Sequence, residues 1–251
     1  MTLTQNSSKQ FSEEVRVPSY LCGPDDQLRL DGVARLLQEA AWQHAERLGF
    51  AFTEEEISLF WVLHRIRVHF HRPPQWNDLV TVTTWPSGME RLYALREVRI
   101  DGDDGEPLVD LSSAWIILDA VRRRPVRPER HLPADRILEE RLLSLPTGKT
   151  TALPEEIVNA QLAEREWHRV RPSDTDRNRH VNNGRYLQWL YDEAPDILAD
   201  AREGIASFLS ETHVGQTYCV ADDPGRGIAE VWTRDAEGAL AVACRFNLDG
   251  E

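Results

Sequence analysis

The stretches LYALREVRI (residues 92–100) and LSSAWIIL (residues 111–118), on either side of Asp103-Asp104-Gly105, read as two strands joined by a tight turn. Both runs carry the β-branched and aromatic residues that suit a half-buried pleated surface. The Asp-Gly pair tolerates the positive backbone angles that reverse a chain. Upstream, Pro86-Ser87-Gly88 predicts another turn, joining a strand over Leu79 to Trp85 onto Leu92. Before it, Arg65 to His71 alternates strictly, with Ile66, Val68 and Phe70 on one face and basic residues on the other. Further back, Val33, Leu36, Leu37, Ala40, Ala41, His44, Ala45 and Leu48 recur at helical spacing. Asp31 is the expected N-cap of that helix and Gly49 its stop. Phe11 to Val17 is a first strand, closed by Pro18. One long helix followed by consecutive hairpin-linked strands is an α+β pattern with an antiparallel sheet.

Downstream, Arg122 to Arg130 is rich in Arg and Pro, a helix is expected over Ala134 to Leu145, and Pro146 to Pro154 reads as a linker. The second half then repeats the first. RLLQ (residues 35–38) is echoed by RYLQ (residues 185–188). Glu97-Val98, Asp104-Gly105 and Trp115 to Asp119 are echoed by Glu230-Val231, Glu237-Gly238 and Phe246 to Asp249. Their common order indicates an internal duplication. A helix laid on an antiparallel sheet, twice, lets the two sheets pair edge to edge. The expected domains are 1–135, a linker with a helix at 136–160, and 161–251.

The 251 residues, 41% hydrophobic, are enough for one large domain or two half-size ones. Against 42 acidic residues stand 29 basic ones, all but Lys9 and Lys149 arginine, for a net charge of −13. That balance argues against binding nucleic acid or an anionic membrane surface. No apolar run approaches the roughly 20 residues of a membrane-spanning helix. Met1 to Gln10 is polar and does not read as a secretory signal. Cys22, Cys219 and Cys244 offer neither a disulfide framework nor a thiolate zinc site. A cytoplasmic protein is expected, and in that compartment the sequon at Asn6-Ser7-Ser8 is chance. Phosphate-cradling, zinc-protease and serine-hydrolase motifs are absent. His69 and His71 share a strand face with Arg67, which would repel a cation, so they read as a solvated face.

The stretch with chemistry is RPSDTDRNRHVNNGRYLQW (residues 171–189). Asp176, Asn178 and His180 stand at i, i+2 and i+4. In an extended segment they project to one side, with Arg177 and Arg179 on the other. Asn182 or Asn183 then caps a helix whose first N–H groups favour an anion. An acid, an amide and an imidazole beside such donors are the parts needed to attack a carbonyl. The same residues also suit an ordinary polar loop with Asx caps and a surface histidine, and spacing alone leaves the two readings even.

DRNRHVNNGRYLQW (residues 176–189) resembles the Asp-x-Asn-x-His-Val-Asn-Asn-x-x-Tyr motif of the acyl-ACP thioesterases, double-hotdog enzymes of plants and bacteria. LLQEAA (36–41), WVL (61–63), PQWND (74–78), TWP (84–86) and WIILD (115–119), followed by Arg123-Arg124-Pro125, resemble further family segments in the same order. The resemblance implies a tandem hotdog that releases free fatty acid from acyl carrier protein in fatty acid biosynthesis, without cofactor or metal. It implies a catalytic group of Asp176, Asn178 and His180, with Glu211 as the fourth member. His213 lies on the same strand face as Glu211 and reads first as a solvated histidine, with tuning of that carboxylate as the alternative. Plant members carry Cys directly after that Glu, where this chain has Thr212, so water is the expected nucleophile. Either Glu211 or His180 would take its proton. Asn178 and an N–H near Asn183 to Arg185 would hold the thioester oxygen. Arg122, Arg123, Arg124, Arg127 and Arg130, with Arg177, Arg179 and Arg185, are candidates for contacting the acidic carrier or its pantetheine phosphate. The acyl tail would lie in the first hotdog, where Leu37, Ala41 and Trp61 are candidates, although each reads first as plain core. An acyl-CoA thioesterase and a non-catalytic acyl-thioester sensor are the alternatives, and monomer and homodimer are equally open.

Overall fold

The computed structural model describes residues 9–50, 58–199 and 201–248. The Asn6 sequon and Asp249, the last residue of the second-half echo, lie outside them. The chain divides into two compact units, Met1–Thr147 and Gly148–Glu251.

In the first unit, β1 (Phe11–Arg16) leads through a 3₁₀ turn at Ser19–Leu21 into helix α1 (Leu30–Arg47). Then follow β2 (Leu59–Phe70), β3 (Leu79–Glu90), β4 (Tyr93–Asp101), β5 (Pro107–Asp119) and the short β6 (Arg124–Val126). The strands lie antiparallel in the order β1-β3-β4-β5-β2, with β6 paired to the end of β5. Helix α1 buries Val33, Leu37, Ala40, Ala41 and His44, a stripe at helical spacing, and packs on β3.

The second unit opens with α2 (Glu155–Glu164). It continues through β7 (His168–Arg169), a 3₁₀ turn at Pro172–Asp174, α3 (Asn183–Glu193), the short α4 (Pro195–Leu198), β8 (Glu203–Phe208), β9 (Thr217–Asp223), β10 (Ile228–Arg234) and β11 (Leu240–Asn247). Its order is β7-β9-β10-β11-β8. That is the first unit's order strand for strand, with α3 in the place of α1. Strand β9 is covered on both faces. Tyr218 stacks on Trp189 of α3 with centroids 3.7 Å apart, while Cys219 and Ala221 pack with Val158 and Leu162 of α2.

Part of the sequence echo is in register and part is not. Gly105 and Gly238 both turn their hairpins with positive φ, 81° and 87°. Glu97 and Glu230 sit at matching places in β4 and β10, each 1% exposed. The RLLQ and RYLQ segments, by contrast, are one helical turn out of step once the loops preceding α1 and α3 are superposed residue for residue.

Each buried glutamate is satisfied within its own unit. Glu230 takes Arg245 Nε at 2.6 Å, Trp232 Nε1 at 2.9 Å and the Leu153 N–H at 3.2 Å. Glu97 relies mainly on hydroxyl and backbone donors, with the Arg141 charge acting on it more weakly. It accepts from Ser87 Oγ at 2.6 Å, from Ser112 Oγ and from the Leu142 N–H at 3.2 Å, and burial raises its pKa.

These needs explain the departures from expectation. The helix expected over Ala134 to Leu145 is a single 3₁₀ turn at Ala134–Arg136, followed by irregular chain. That chain spends its backbone on the sheet instead. Leu142 N–H serves Glu97, the Ser144 carbonyl takes Arg67 at 2.8 Å, and the Pro146 carbonyl takes Arg65. Arg65, expected on a solvated face, is 2% exposed for this reason. Pro86-Ser87-Gly88 is a bulge within β3, not a turn. The chain reverses later, at Arg91 with φ 56°. Asp31 lies in the first turn of α1 rather than at its cap, where it pairs with Arg29 at 2.8 Å.

His44 is a buried histidine of α1 with one unpartnered nitrogen. Its Nδ1 accepts from Arg96 at 3.1 Å, so the proton resides on Nε2, a buried atom with no partner among the described residues. Burial, then the charges of Arg96 and Arg47, lowers its pKa from 6.5 to about 3. The folded chain thus refuses a proton that the unfolded chain accepts. This contribution is intact above pH 6.5 and is lost as pH falls toward 3, at up to about 1.4 kcal/mol per pH unit. Urea unfolding at pH 7, 6 and 5 should show this decline, and His44→Gln should flatten it. Equal slopes for the two proteins would contradict the assignment.

Candidate active site

Between β7 and α3 the chain reverses within a few residues. Thr175 and Val181 form an antiparallel bridge. Inside it the Asp176 N–H donates to the His180 carbonyl at 2.9 Å and the Arg179 N–H to the Asp176 carbonyl at 3.0 Å. Arg179 takes the left-handed conformation, φ 64°. The segment is therefore a tight loop and not extended, so the alternating projection expected for Asp176, Asn178 and His180 does not apply. The Asp176 carboxylate accepts the Asn178 N–H at 2.8 Å, an Asx turn that shapes the loop. Asn178 is exposed at the tip, and its side-chain amide makes no hydrogen bond among the described residues.

What assembles the site is a second pass of chain. The Val181 N–H donates to the Thr212 carbonyl at 2.9 Å, laying residues 180–182 beside the connection from β8 to β9. Val181 and Thr212 are buried, 3% and 0% exposed. Their sequence neighbours therefore face outward, as alternation requires. His180 Nδ1 comes to 3.7 Å from Glu211 Oε1, both side chains about a third exposed. The His213 ring meets the His180 ring edge to face, centroids 4.9 Å apart. Glu211 and His213 lie beyond the end of β8, not in a strand, and the His213 N–H is held by Gln216 Oε1 at 2.6 Å. His213 joins His180 and Glu211 as closely as any residue predicted for the site. Its i, i+2 spacing from Glu211 was the signal available in the sequence.

The N-terminus of α3 is largely spent. Asn182 is its N-cap and accepts the Gly184 N–H at 2.9 Å, and the Arg185 N–H bonds the Asn182 carbonyl at 2.8 Å. Asn183 is the first residue of the helix. The Arg185 side chain is committed to Asp174 at 3.3 Å, Gln188 at 2.7 Å and the Ser173 carbonyl at 3.2 Å, so it braces the helix against the preceding turn. Arg177 and Arg179 are exposed on the loop, and Arg122, Arg123, Arg124, Arg127 and Arg130 are exposed in the first unit. Leu37 and Ala41 are buried on α1, and the Trp61 indole donates to the Phe50 carbonyl at 2.9 Å.

The first unit contains the same loop without the chemistry. Cys22 and Leu28 form the bridge, the Gly23 N–H bonds the Gln27 carbonyl at 2.8 Å, Asp26 has φ 61°, and the Leu28 N–H reaches the Pro74 carbonyl at 2.8 Å. Position by position, Gly23 replaces Asp176, Asp25 replaces Asn178, and Gln27 replaces His180. Pro73 and Gln75 stand where Glu211 and His213 do. One scaffold thus occurs twice, and only the second copy carries an imidazole beside a carboxylate.

Residues 8–133 match the acyl-ACP thioesterase N-terminal domain and residues 159–208 the acyl-ACP thioesterase C-terminal domain. The chain belongs to the acyl-ACP thioesterase family. It is 28% identical over 212 residues to the chloroplastic oleoyl-acyl carrier protein thioesterase 2 of Arabidopsis thaliana, covering 77% of this chain and 56% of that one. It is 30% identical over 204 residues to the palmitoyl-acyl carrier protein thioesterase of the same plant, covering 74% of this chain and 47% of that one. The chain spans about half the length of these plant relatives. In fold it resembles the crystal structure of an acyl-ACP thioesterase from Bacteroides thetaiotaomicron, with a TM-score of 0.78 and 20% identity over 97% of this chain and 99% of that one.

No thiol stands in the site. Cys22, Cys219 and Cys244 are unpaired and buried, and burial raises the pKa of each. A disulfide reagent such as DTNB should react only slowly with the native protein and should titrate all three thiols once it is unfolded. One thiol reacting within seconds in the native state would reopen a thiolate mechanism.

Proposed function

We propose that this chain hydrolyses the thioester of fatty acyl-[acyl carrier protein] and releases free fatty acid, with water as the nucleophile. The observation that carries the proposal is the exposed His180–Glu211 pair, 3.7 Å apart, in a member of this family. With the Nδ1–H turned to Glu211, the imidazole keeps its Nε2 lone pair for the proton of an attacking water. Glu211 then orients the ring and balances the imidazolium, the division of labour of other base–orienter pairs. The pair tightens to hydrogen-bond length when substrate closes over it. Asn178, with an uncommitted amide, is the proposed donor to the thioester oxygen as it becomes anionic. Asp176 shapes the loop that presents both groups. Three unpaired cysteines are consistent with a reducing compartment, and no helix of the described residues is long and apolar enough to cross a membrane.

Fatty acid release should be followed with acyl-ACP and acyl-CoA thioesters of C8 to C18 in parallel. His180→Ala should lower kcat by about 10²–10⁴. Glu211→Gln should cost less, because an amide oxygen still accepts the Nδ1–H. A loss in Glu211→Gln equal to that in His180→Ala would transfer the base to Glu211. Absence of release from every thioester would leave a binding protein.

A chain of net charge −13 needs a local cation patch to meet an acidic carrier. The exposed Arg123 and Arg124, on the turn into β6, are the proposed contact. Replacing both by Ala should lower kcat/KM for acyl-ACP several-fold at low salt with kcat unchanged, and should blunt its salt dependence. An unchanged salt profile would place the carrier elsewhere.

A further inference from the structure

His180, Glu211 and His213 each offer one ligand atom, and these atoms lie within 4.8 Å of one another. Two imidazoles and one carboxylate, converging from two chain passes pinned by the Val181–Thr212 bond, are a donor set that zinc accepts with a fourth position open to solvent. Ligand atoms around a tetrahedral zinc stand roughly 3.3–3.5 Å apart, given bonds of about 2.0–2.2 Å. His180 Nδ1 and Glu211 Oε1, at 3.7 Å, are already near that spacing. Rotation of exposed side chains closes the remainder, because no hydrogen bond among the described residues holds the other nitrogen of either ring.

We propose that His180, Glu211 and His213 form a reversible site for a single divalent cation of the zinc class, whose binding inhibits the enzyme. An occupied site takes the imidazole and the carboxylate away from the attacking water. The inhibition rests on the hydrolytic reading given above, whereas the binding does not. The lack of a partner for the outer ring nitrogens argues for exchangeable rather than resident metal, since lasting sites hold their histidines through such bonds. The other close histidine pair lacks this disposition. His69 and His71 have ring centroids 4.6 Å apart, but His71 Nε2 is bound to Asp110 at 3.0 Å, and Arg99 lies on the same carboxylate at 2.8 Å.

Zinc competition between the full chain and a chromophoric chelator at pH 7.5 tests the site directly. One equivalent should bind. His213→Gln and Glu211→Gln should each weaken binding at least about tenfold. His69→Gln should leave it unchanged. No binding, or binding that survives His213→Gln and Glu211→Gln but is lost in His69→Gln, would overturn the site. Fatty acid release should fall as the site fills, with the same midpoint. Filling of the site with undiminished release would overturn the inhibitory half and remove His180 from the role of base.

Discussion

The hydrogen bond from the Val181 N–H to the Thr212 carbonyl is the contact on which the site depends. It joins a loop that precedes α3 to a connection that follows β8, two passes of chain some thirty residues apart. With Val181 and Thr212 turned into the core, their neighbours His180, Glu211 and His213 are turned out together. An imidazole and a carboxylate are thereby placed side by side without being buried. The site avoids the desolvation that burying charged groups would cost.

The same bond, between Leu28 and Pro74, organises the first unit. There Gln27, Pro73 and Gln75 occupy the outward positions, and neither glutamine nor proline can accept a proton near neutral pH. Conformation and chemistry are therefore separable in this molecule. Left-handed residues Asp26 and Arg179, with φ 61° and 64°, close both loops, and side-chain identity alone distinguishes them.

The sheets impose a second constraint. Glu97, Glu230 and Arg65, between 1% and 2% exposed, need partners beyond the strand backbone, whose own groups are paired across the sheet. The first unit answers with the irregular chain through Leu142 and Pro146, and the second with Arg245 and the Leu153 N–H. Segments that look like linkers are in this way part of the fold. A helix over Ala134 to Leu145 would have consumed the Leu142 N–H that Glu97 requires.

Periodicity and turn chemistry determined much of what is local, but not the Asp31 cap, the Pro86-Ser87-Gly88 turn or the helix over Ala134 to Leu145. The stripe of α1, the alternation of β2 and β4, the Asp-Gly and Glu-Gly hairpins and the Asn182 cap all follow from neighbours in the chain. The motif from Asp176 to Trp189, together with the family segments that precede it in the same order, carried the family resemblance. Tertiary structure alone decided which charged residues are buried, since Arg65 and Arg67 look alike in sequence, yet Arg65 is buried against the Pro146 carbonyl and Arg67 is only partly buried beside that of Ser144. It also decided that Asp176 and Asn178 shape a tight loop, and that His213 joins His180 and Glu211. Those outcomes depend on hydrogen bonds between segments far apart in the chain, and no spacing within one segment encodes the distance to another.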